Sequence, residues 1–115
     1  MKKSSEIKFT VTLDEKKVPE KIEWEATDSG FDGKKECSSI MLSLWDKEER
    51  ATLGIDLWTK EMIVDDMNIH FHQVFNKLAD TYERSTKNKK IADMIKNFGA
   101  DFAEKTEIIK KNKKE

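Results

Sequence analysis

The spacing of apolar residues changes once along this chain, and that change constrains the fold more than any other feature. Up to Leu57, apolar residues recur at every second position, which is the period of strands with one buried face. After Asp65 they recur at intervals of three and four, which is the period of amphipathic helices. We therefore predict an α+β fold in which all strands precede the helices.

Four segments carry the strand pattern: 6–14, 21–27, 37–46 and 51–58. Pro19 lies in the first connection or at the start of a strand, the glycine-containing run DSGFDGKKE lies in the second connection, and DKEER forms the third. Because no helical segment separates the strands, we predict one four-stranded antiparallel sheet, with a meander as its simplest topology.

Two helical stripes follow the strands. The first begins after Asp65, a predicted N-cap, and ends near Thr86; its apolar residues are Met67, Phe71, Val74, Phe75, Leu78 and Tyr82. The second consists of Ile91, Ile95, Phe98 and Phe102, and Gly99 interrupts it only mildly. We expect both helices to pack on one face of the sheet.

The length of 115 residues and the mass of 13.4 kDa fit a single domain, which is large enough to form its own hydrophobic core. The predicted domain covers residues 1–115, with the sheet at 6–59, the helical pair at 65–109 and a frayed tail at 110–115.

Charge and cysteine content exclude several classes of function. Lysine and arginine total 22, aspartate and glutamate total 23, and only Arg50 and Arg84 are arginine, so no nucleic-acid partner is expected. Cys37 is the sole cysteine, which excludes an intrachain disulfide and fits a reducing compartment. No signal peptide or membrane-spanning segment is recognised, so we expect a cytoplasmic protein without membrane insertion.

The residues able to carry chemistry form no recognisable constellation. His70 and His72 are two apart on a predicted helix and point about 200° apart, so they do not share a metal ion. Asp65 and Asp66 resemble a Mg²⁺ site, but the helix dipole alone favours acidic residues in a first turn. We predict no catalytic, cofactor-binding or metal-binding residue and therefore no enzyme.

Three large apolar residues fall on the sheet face that the helices are expected to leave open. Met41, Trp45 and Trp58 lie opposite the inward residues, which are Leu42, Leu44, Leu53 and Leu57. Exposed tryptophan and methionine are enriched at association sites, so this face is a candidate protein interface, with a homodimer as the favoured assembly. Trp45 and Trp58 are about 20 Å apart along the hairpin, and packing of either one into the rim of the core is the alternative.

Four segments can be compared with known families: SEIKFTVTLDEKKVPEKIEWEATD, IMLSLWDKEERATLGIDLWTKEMIVDDM, FHQVFNKLADTYERST and FAEKTEI. Taken together, they closely resemble the gliding-motility-associated protein C family, GldC. The similarity covers nearly the whole chain and is most specific in LSLWD, IDLWTKEM and the helix from FHQ to ADTYERST. It implies a small accessory protein of the machinery that moves bacteria over surfaces, which is also tied to a secretion apparatus. It brings no catalytic residues, and Ile63 stands where the pattern leads us to expect proline.

A second hypothesis rests on the order of the predicted elements. Four strands followed by two helices look like the SecB export chaperone, although the sequences do not match. This alternative predicts a tetramer that holds unfolded secreted clients.

Overall fold

The computed structural model describes residues 3–108 and contains five strands followed by two helices. These are β1 (Ile7–Leu13), β2 (Pro19–Ala26), β3 (Lys35–Cys37), β4 (Ser39–Asp46), β5 (Ala51–Trp58), α1 (Val64–Thr86) and α2 (Lys89–Lys105). The predicted α+β class, the antiparallel pairing and the strands-before-helices order are confirmed. The frayed tail predicted at 110–115, and residue 109 of the predicted helical pair, lie outside the described residues.

The chain divides into two compact units at the boundary between Met62 and Ile63, the first formed by the strands and the second by the helices. The single domain, and the packing of the helices on one sheet face, stay predictions. Within residues 3–108, no helix is both long and apolar enough to cross a membrane.

The prediction of one four-stranded sheet is wrong, because the third strand is divided between two sheets. A three-stranded sheet has the order β1-β2-β3, and a separate two-stranded sheet is formed by β4 and β5. The division falls at Ser38, a bend whose carbonyl accepts the N–H of Thr59 at 2.9 Å. Before this bend the strand pairs with β2, and after it the strand pairs with β5.

The β1–β2 hairpin follows the alternation seen in the sequence. Val11 pairs with Ile22 and Phe9 pairs with Trp24, so the apolar residues of the two strands lie on the same face. Ile22 is completely buried, and the rings of Trp24 and Phe31 meet edge to face with their centroids 5.2 Å apart. The first sheet is therefore centred on Ile22 and Trp24.

Helix α1 begins earlier than the sequence suggests, and the prediction of Asp65 as its N-cap is wrong. Ile63 occupies the N-cap position without a side-chain hydrogen bond, and Asp65 and Asp66 lie within the first turn. There their carboxylates interact favourably with the positive end of the helix dipole. The predicted end of the helix is confirmed, since α1 stops at Thr86 and Lys87 follows in the left-handed conformation.

Small residues form the buried part of the helical unit. Ala79 on α1 is buried, as are Ala92, Gly99 and Ala103 on α2. A Cβ atom on Gly99 would lie 3.3 Å from the Cβ atom of Phe75, so the backbone of α2 approaches α1 closely at this point. The Phe75 ring in turn meets the rings of Phe98 and Phe102, with both centroid distances at 5.2 Å.

Candidate interaction site on the second hairpin

The register of β4 and β5 sorts their side chains into two different faces. One face, called here the aliphatic face, consists of three directly paired sets: Ile40 with Leu57, Leu42 with Ile55, and Leu44 with Leu53. The other, called here the tryptophan face, contains Ser39 with Trp58, Met41 with Asp56, Ser43 with Gly54, and Trp45 with Thr52. The predicted interface residues Met41, Trp45 and Trp58 thus share one face of one hairpin.

The two tryptophans lie at opposite ends of their face. Trp45 is 62% exposed and Trp58 is 54% exposed, whereas Met41 is half-buried between them. Six ladder positions separate Trp45 from Trp58, which corresponds to about 20 Å. The structure therefore places the three residues on one surface but does not bring the two indole rings together.

Small residues form the middle of the tryptophan face. Ser43 and Gly54 pair directly, so no bulky side chain rises between the two indoles at this level. A Cβ atom on Gly54 would lie 3.3 Å from the carbonyl oxygen of Leu42, which leaves little room for a larger residue. The face is consequently low in its centre and raised at both ends.

Charge is also unevenly distributed along the tryptophan face. Asp56 is the only ionisable residue among its eight strand positions, and it lies toward the Trp58 end. At the other end, the Arg50 guanidinium lies 5.8 Å from the ring centroid of Trp45. The salt bridges between described residues include neither Asp56 nor Arg50.

The aliphatic face is more exposed than the sequence predicts for an inward face. Leu44, Leu53 and Ile55 are each about half exposed, and Ile40, Leu42 and Leu57 are partly buried. A two-stranded hairpin is marginally stable by itself in water, so the partial burial of Ile40, Leu42 and Leu57 contributes to holding the hairpin together.

A small polar network anchors the base of the hairpin beside Trp58. Thr59 is 3% exposed, and its N–H donates to the Ser38 carbonyl at 2.9 Å. Its hydroxyl, which has a single hydrogen to donate, shares that hydrogen between the same carbonyl, at 3.5 Å, and the Glu61 carboxylate. The Glu61 carboxylate accepts hydrogen bonds from the hydroxyls of Ser38 at 3.2 Å and Thr59 at 3.4 Å. These contacts fix the end of β5 against the start of β4.

The residues considered for catalysis or metal binding are dispersed. Among residues 3–108, no group of three or more histidine, cysteine, aspartate or glutamate side chains is arranged to hold a metal ion. The Nε2 atom of His70 is buried without a hydrogen-bond partner among the described residues. Burial, the largest contribution, and the nearby Glu36 carboxylate raise the pKa of the Cys37 thiol, which disfavours the reactive thiolate at neutral pH.

Sequence reasoning identified the apolar members of the tryptophan face and placed Asp56 on the same side of its strand without giving it a role, and it missed Arg50. The signal for Asp56 was its position two residues before Trp58, on the same side of the strand. Arg50 belongs to the connecting turn, and alternation within the strands gives no information about its direction. Arg50 adopts the left-handed conformation, with φ at 52°, and its guanidinium lies over the Trp45 ring.

Comparison with known proteins assigns the chain to a family. The chain matches no curated protein and no solved structure. The model of the gliding motility-associated protein GldC-like family matches residues 19–108, which include β2 to β5 and both helices. Because this match covers most of the chain, the protein belongs to the GldC-like family of gliding motility-associated proteins.

Proposed function

We propose that this protein is a non-catalytic accessory component of the gliding apparatus and of the secretion machinery associated with it, acting in the cytoplasm by binding other proteins. The exposed tryptophan face of the β4–β5 hairpin carries this proposal. Two tryptophans that are each more than half exposed are unusual on a surface without a binding role, because such residues contribute strongly when buried at interfaces.

The proposed mechanism is association through this face, and the favoured assembly is a homodimer. The face presents two raised indoles and a half-buried methionine, which are residue types enriched at protein interfaces, together with a single carboxylate. Binding would bury both indoles without requiring a change in the hairpin ladder.

Replacement of Trp58 by alanine in a gliding bacterium tests the binding role. We expect the variant chain to accumulate normally, to lose its partners in affinity capture and to fail to restore gliding in a deletion strain. Ile7→Ala is the matched control, because Ile7 is a 70% exposed apolar strand residue on the other sheet. Full gliding with both Trp45 and Trp58 replaced by alanine would exclude this face as the functional surface.

The absence of catalysis is tested separately. We expect a chain with His70, His72 and Cys37 all replaced by alanine to support gliding as the wild type does. Loss of gliding by a triple variant that folds normally would favour an enzyme instead.

A SecB-like holding chaperone is the second candidate, and the wide distribution of exposed apolar residues favours it. Besides the hairpin residues, Ile69, Leu78, Met94 and Phe98 on the helices are more than two fifths exposed. Such surfaces bind unfolded chains with little sequence preference. This function predicts a tetramer and suppression of client aggregation, and a chain that leaves the aggregation of an unfolded client unchanged would not be such a chaperone.

A further inference from the structure

The tryptophan face has opposite charges at its two ends, and this polarity specifies how it can pair with itself. Building on the homodimer proposed above, we infer that the face docks on the same face of a second copy about a two-fold axis at Gly54. In that arrangement Arg50 of each copy lies against Asp56 of the other copy.

The middle of the face is the point where two hairpins can approach most closely. Ser43 and Gly54 pair there, and neither side chain rises above the flanking indoles. Glycine inside a strand often marks a place where another backbone comes near. A two-fold axis at this level places Gly54 of one copy over Gly54 of the other, with the strands of the two hairpins running in opposite directions.

This axis places the carboxylate of Asp56 in one copy near the guanidinium of Arg50 in the other, as the ladder positions show. Asp56 lies two positions from Gly54 on one side, and the Trp45–Thr52 pair lies two positions away on the other. The two-fold operation therefore places Asp56 of the second copy over the Trp45–Thr52 level. Arg50 is already held at that level by its contact with the Trp45 ring.

The same two-fold operation gives Trp45 and Trp58 partners in the other copy. Trp45 of one copy falls over the Met41–Asp56 pair of the other, where the half-buried methionine offers an apolar contact. Trp58 falls over the turn that carries Arg50. Each raised indole thus meets a part of the other copy that has no indole at that level.

Electrostatics favours this alignment over one with the axis at Asp56. An axis moved to the level of Asp56 would place the two carboxylates directly against each other without a cation nearby, which is unfavourable in an interface. With the axis at Gly54, the two Asp56 positions are four ladder positions apart, about 13 Å, and each faces an arginine.

The size of the contact sets the conditions under which it can be detected. The two indoles expose roughly 300 Å² per copy, given that a tryptophan buries up to about 250 Å². This area belongs to the small, transient class of interfaces. Dimerisation is therefore measured by sedimentation equilibrium or light scattering over a range reaching hundreds of micromolar.

Charge reversal tests the pairing directly. Arg50→Asp places two aspartates where the pair should form, and Asp56→Arg places two arginines there, so each variant should dimerise at least tenfold more weakly than the wild type. Aspartate tolerates the left-handed backbone of position 50, which keeps the turn intact. Lys47→Asp in the same turn and Glu36→Arg on β3 are controls with matched charge changes, and both should dimerise normally.

Mixing the two variants provides the decisive measurement. A dimer with one Arg50→Asp copy and one Asp56→Arg copy contains two attractive pairs. In one pair the introduced aspartate faces the introduced arginine, and in the other the native Arg50 faces the native Asp56. We therefore expect a mixture of the two monomeric variants to form a heterodimer, and the double variant Arg50→Asp with Asp56→Arg to regain homodimerisation.

The outcomes separate this inference from the homodimer itself. A wild-type chain that is monomeric at hundreds of micromolar would contradict the homodimer and this inference together. A wild-type dimer that weakens with Trp45→Ala or Trp58→Ala but is unaffected by both charge reversals would overturn only the Gly54 alignment. A dimer insensitive to all four changes would show that another surface forms it.

Discussion

A Cβ atom on Gly99 of α2 would lie 3.3 Å from the Cβ atom of Phe75 on α1, so α2 approaches Phe75 closely at Gly99. Phe75 also holds the rings of Phe98 and Phe102 around it. A larger side chain at position 99 would have to displace this aromatic group or separate the helices.

Replacement of Gly99 by leucine is expected to destabilise the chain by about 1–3 kcal/mol, because overpacking forces side chains and backbone to shift. Gly99→Ala should be closer to neutral, since the higher helix propensity of alanine offsets the tight contact. Ala100→Leu is the control, because Ala100 is the exposed neighbour on the same helix. Urea unfolding midpoints measure all three, and equal midpoints for the two leucine variants would contradict the close approach.

Asn88 caps α2 by accepting a hydrogen bond from the N–H of Ile91 at 3.1 Å on its Oδ1 atom. Asn88→Ala should lower the free energy of unfolding by about 1 kcal/mol, because that N–H loses its acceptor. Asn97→Ala removes the same side chain from an exposed position inside α2, where alanine is favourable, so it should be neutral or slightly stabilising. Thermal unfolding followed by circular dichroism compares the pair.

The Asp14 carboxylate organises the turn between β1 and β2, and its charge should make stability depend on pH. Its hydrogen bonds from the N–H groups of Val18, the largest contribution, and Lys16, together with the Lys60 ammonium, outweigh desolvation and lower the pKa of Asp14 below its ordinary value of 3.8. A lowered folded-state pKa gives stability that is present above the unfolded-state pKa and is lost as the pH falls through the folded-state value.

The wild type should therefore exceed Asp14→Asn in melting temperature at neutral pH, and this difference should shrink as the pH falls below about 3.8. Asp32→Asn, an exposed loop substitution, is the control and should leave the melting temperature at neutral pH nearly unchanged. A difference between the wild type and Asp14→Asn that stays constant from pH 7 to pH 2 would argue against the charged turn.

The side chain of Ile22 is completely buried, whereas that of Ile7 on the neighbouring strand is 70% exposed. Ile22→Ala should cost about 2–5 kcal/mol, because it removes buried methyl groups and leaves a cavity. Ile7→Ala should cost about 0.5 kcal/mol or less, as is usual for surface substitutions. Chemical denaturation distinguishes the two, and similar losses would show that Ile22 is not the centre of the sheet.

The local structure was predictable where the spacing of apolar residues matches the faces that the strands present. Alternation in β1 and β2 correctly implied that Val11 and Ile22 share a face, and the register pairs them directly. The faces of the second hairpin were likewise correct, since alternation separates Trp45 from Leu44 whatever the strand's partner is.

The division of the sheet at Ser38 could not be predicted, because side-chain alternation continues through the bend and does not report which strand is paired. The start of α1 was misplaced for a related reason. Asp65 has the residue type of an N-cap, but a carboxylate is also favourable within the first turn, and the sequence does not distinguish the two positions. Arg50 was missed because it lies in the turn in a left-handed conformation, where strand alternation does not predict the direction of a side chain.

The bend at Ser38 has a mechanical consequence for whatever docks on the hairpin. One covalent strand serves two hydrogen-bonded ladders, and a single residue separates them. The hydrogen bonds from Ser38 to Thr59 and Glu61 restrict the torsion angles of Ser38. These angles influence how Trp45 and Trp58 are oriented relative to the sheet that contains Ile22. A force on the hairpin would act on the rest of the chain through Ser38. Residues that do not contact a binding partner can therefore determine the orientation in which that partner is held.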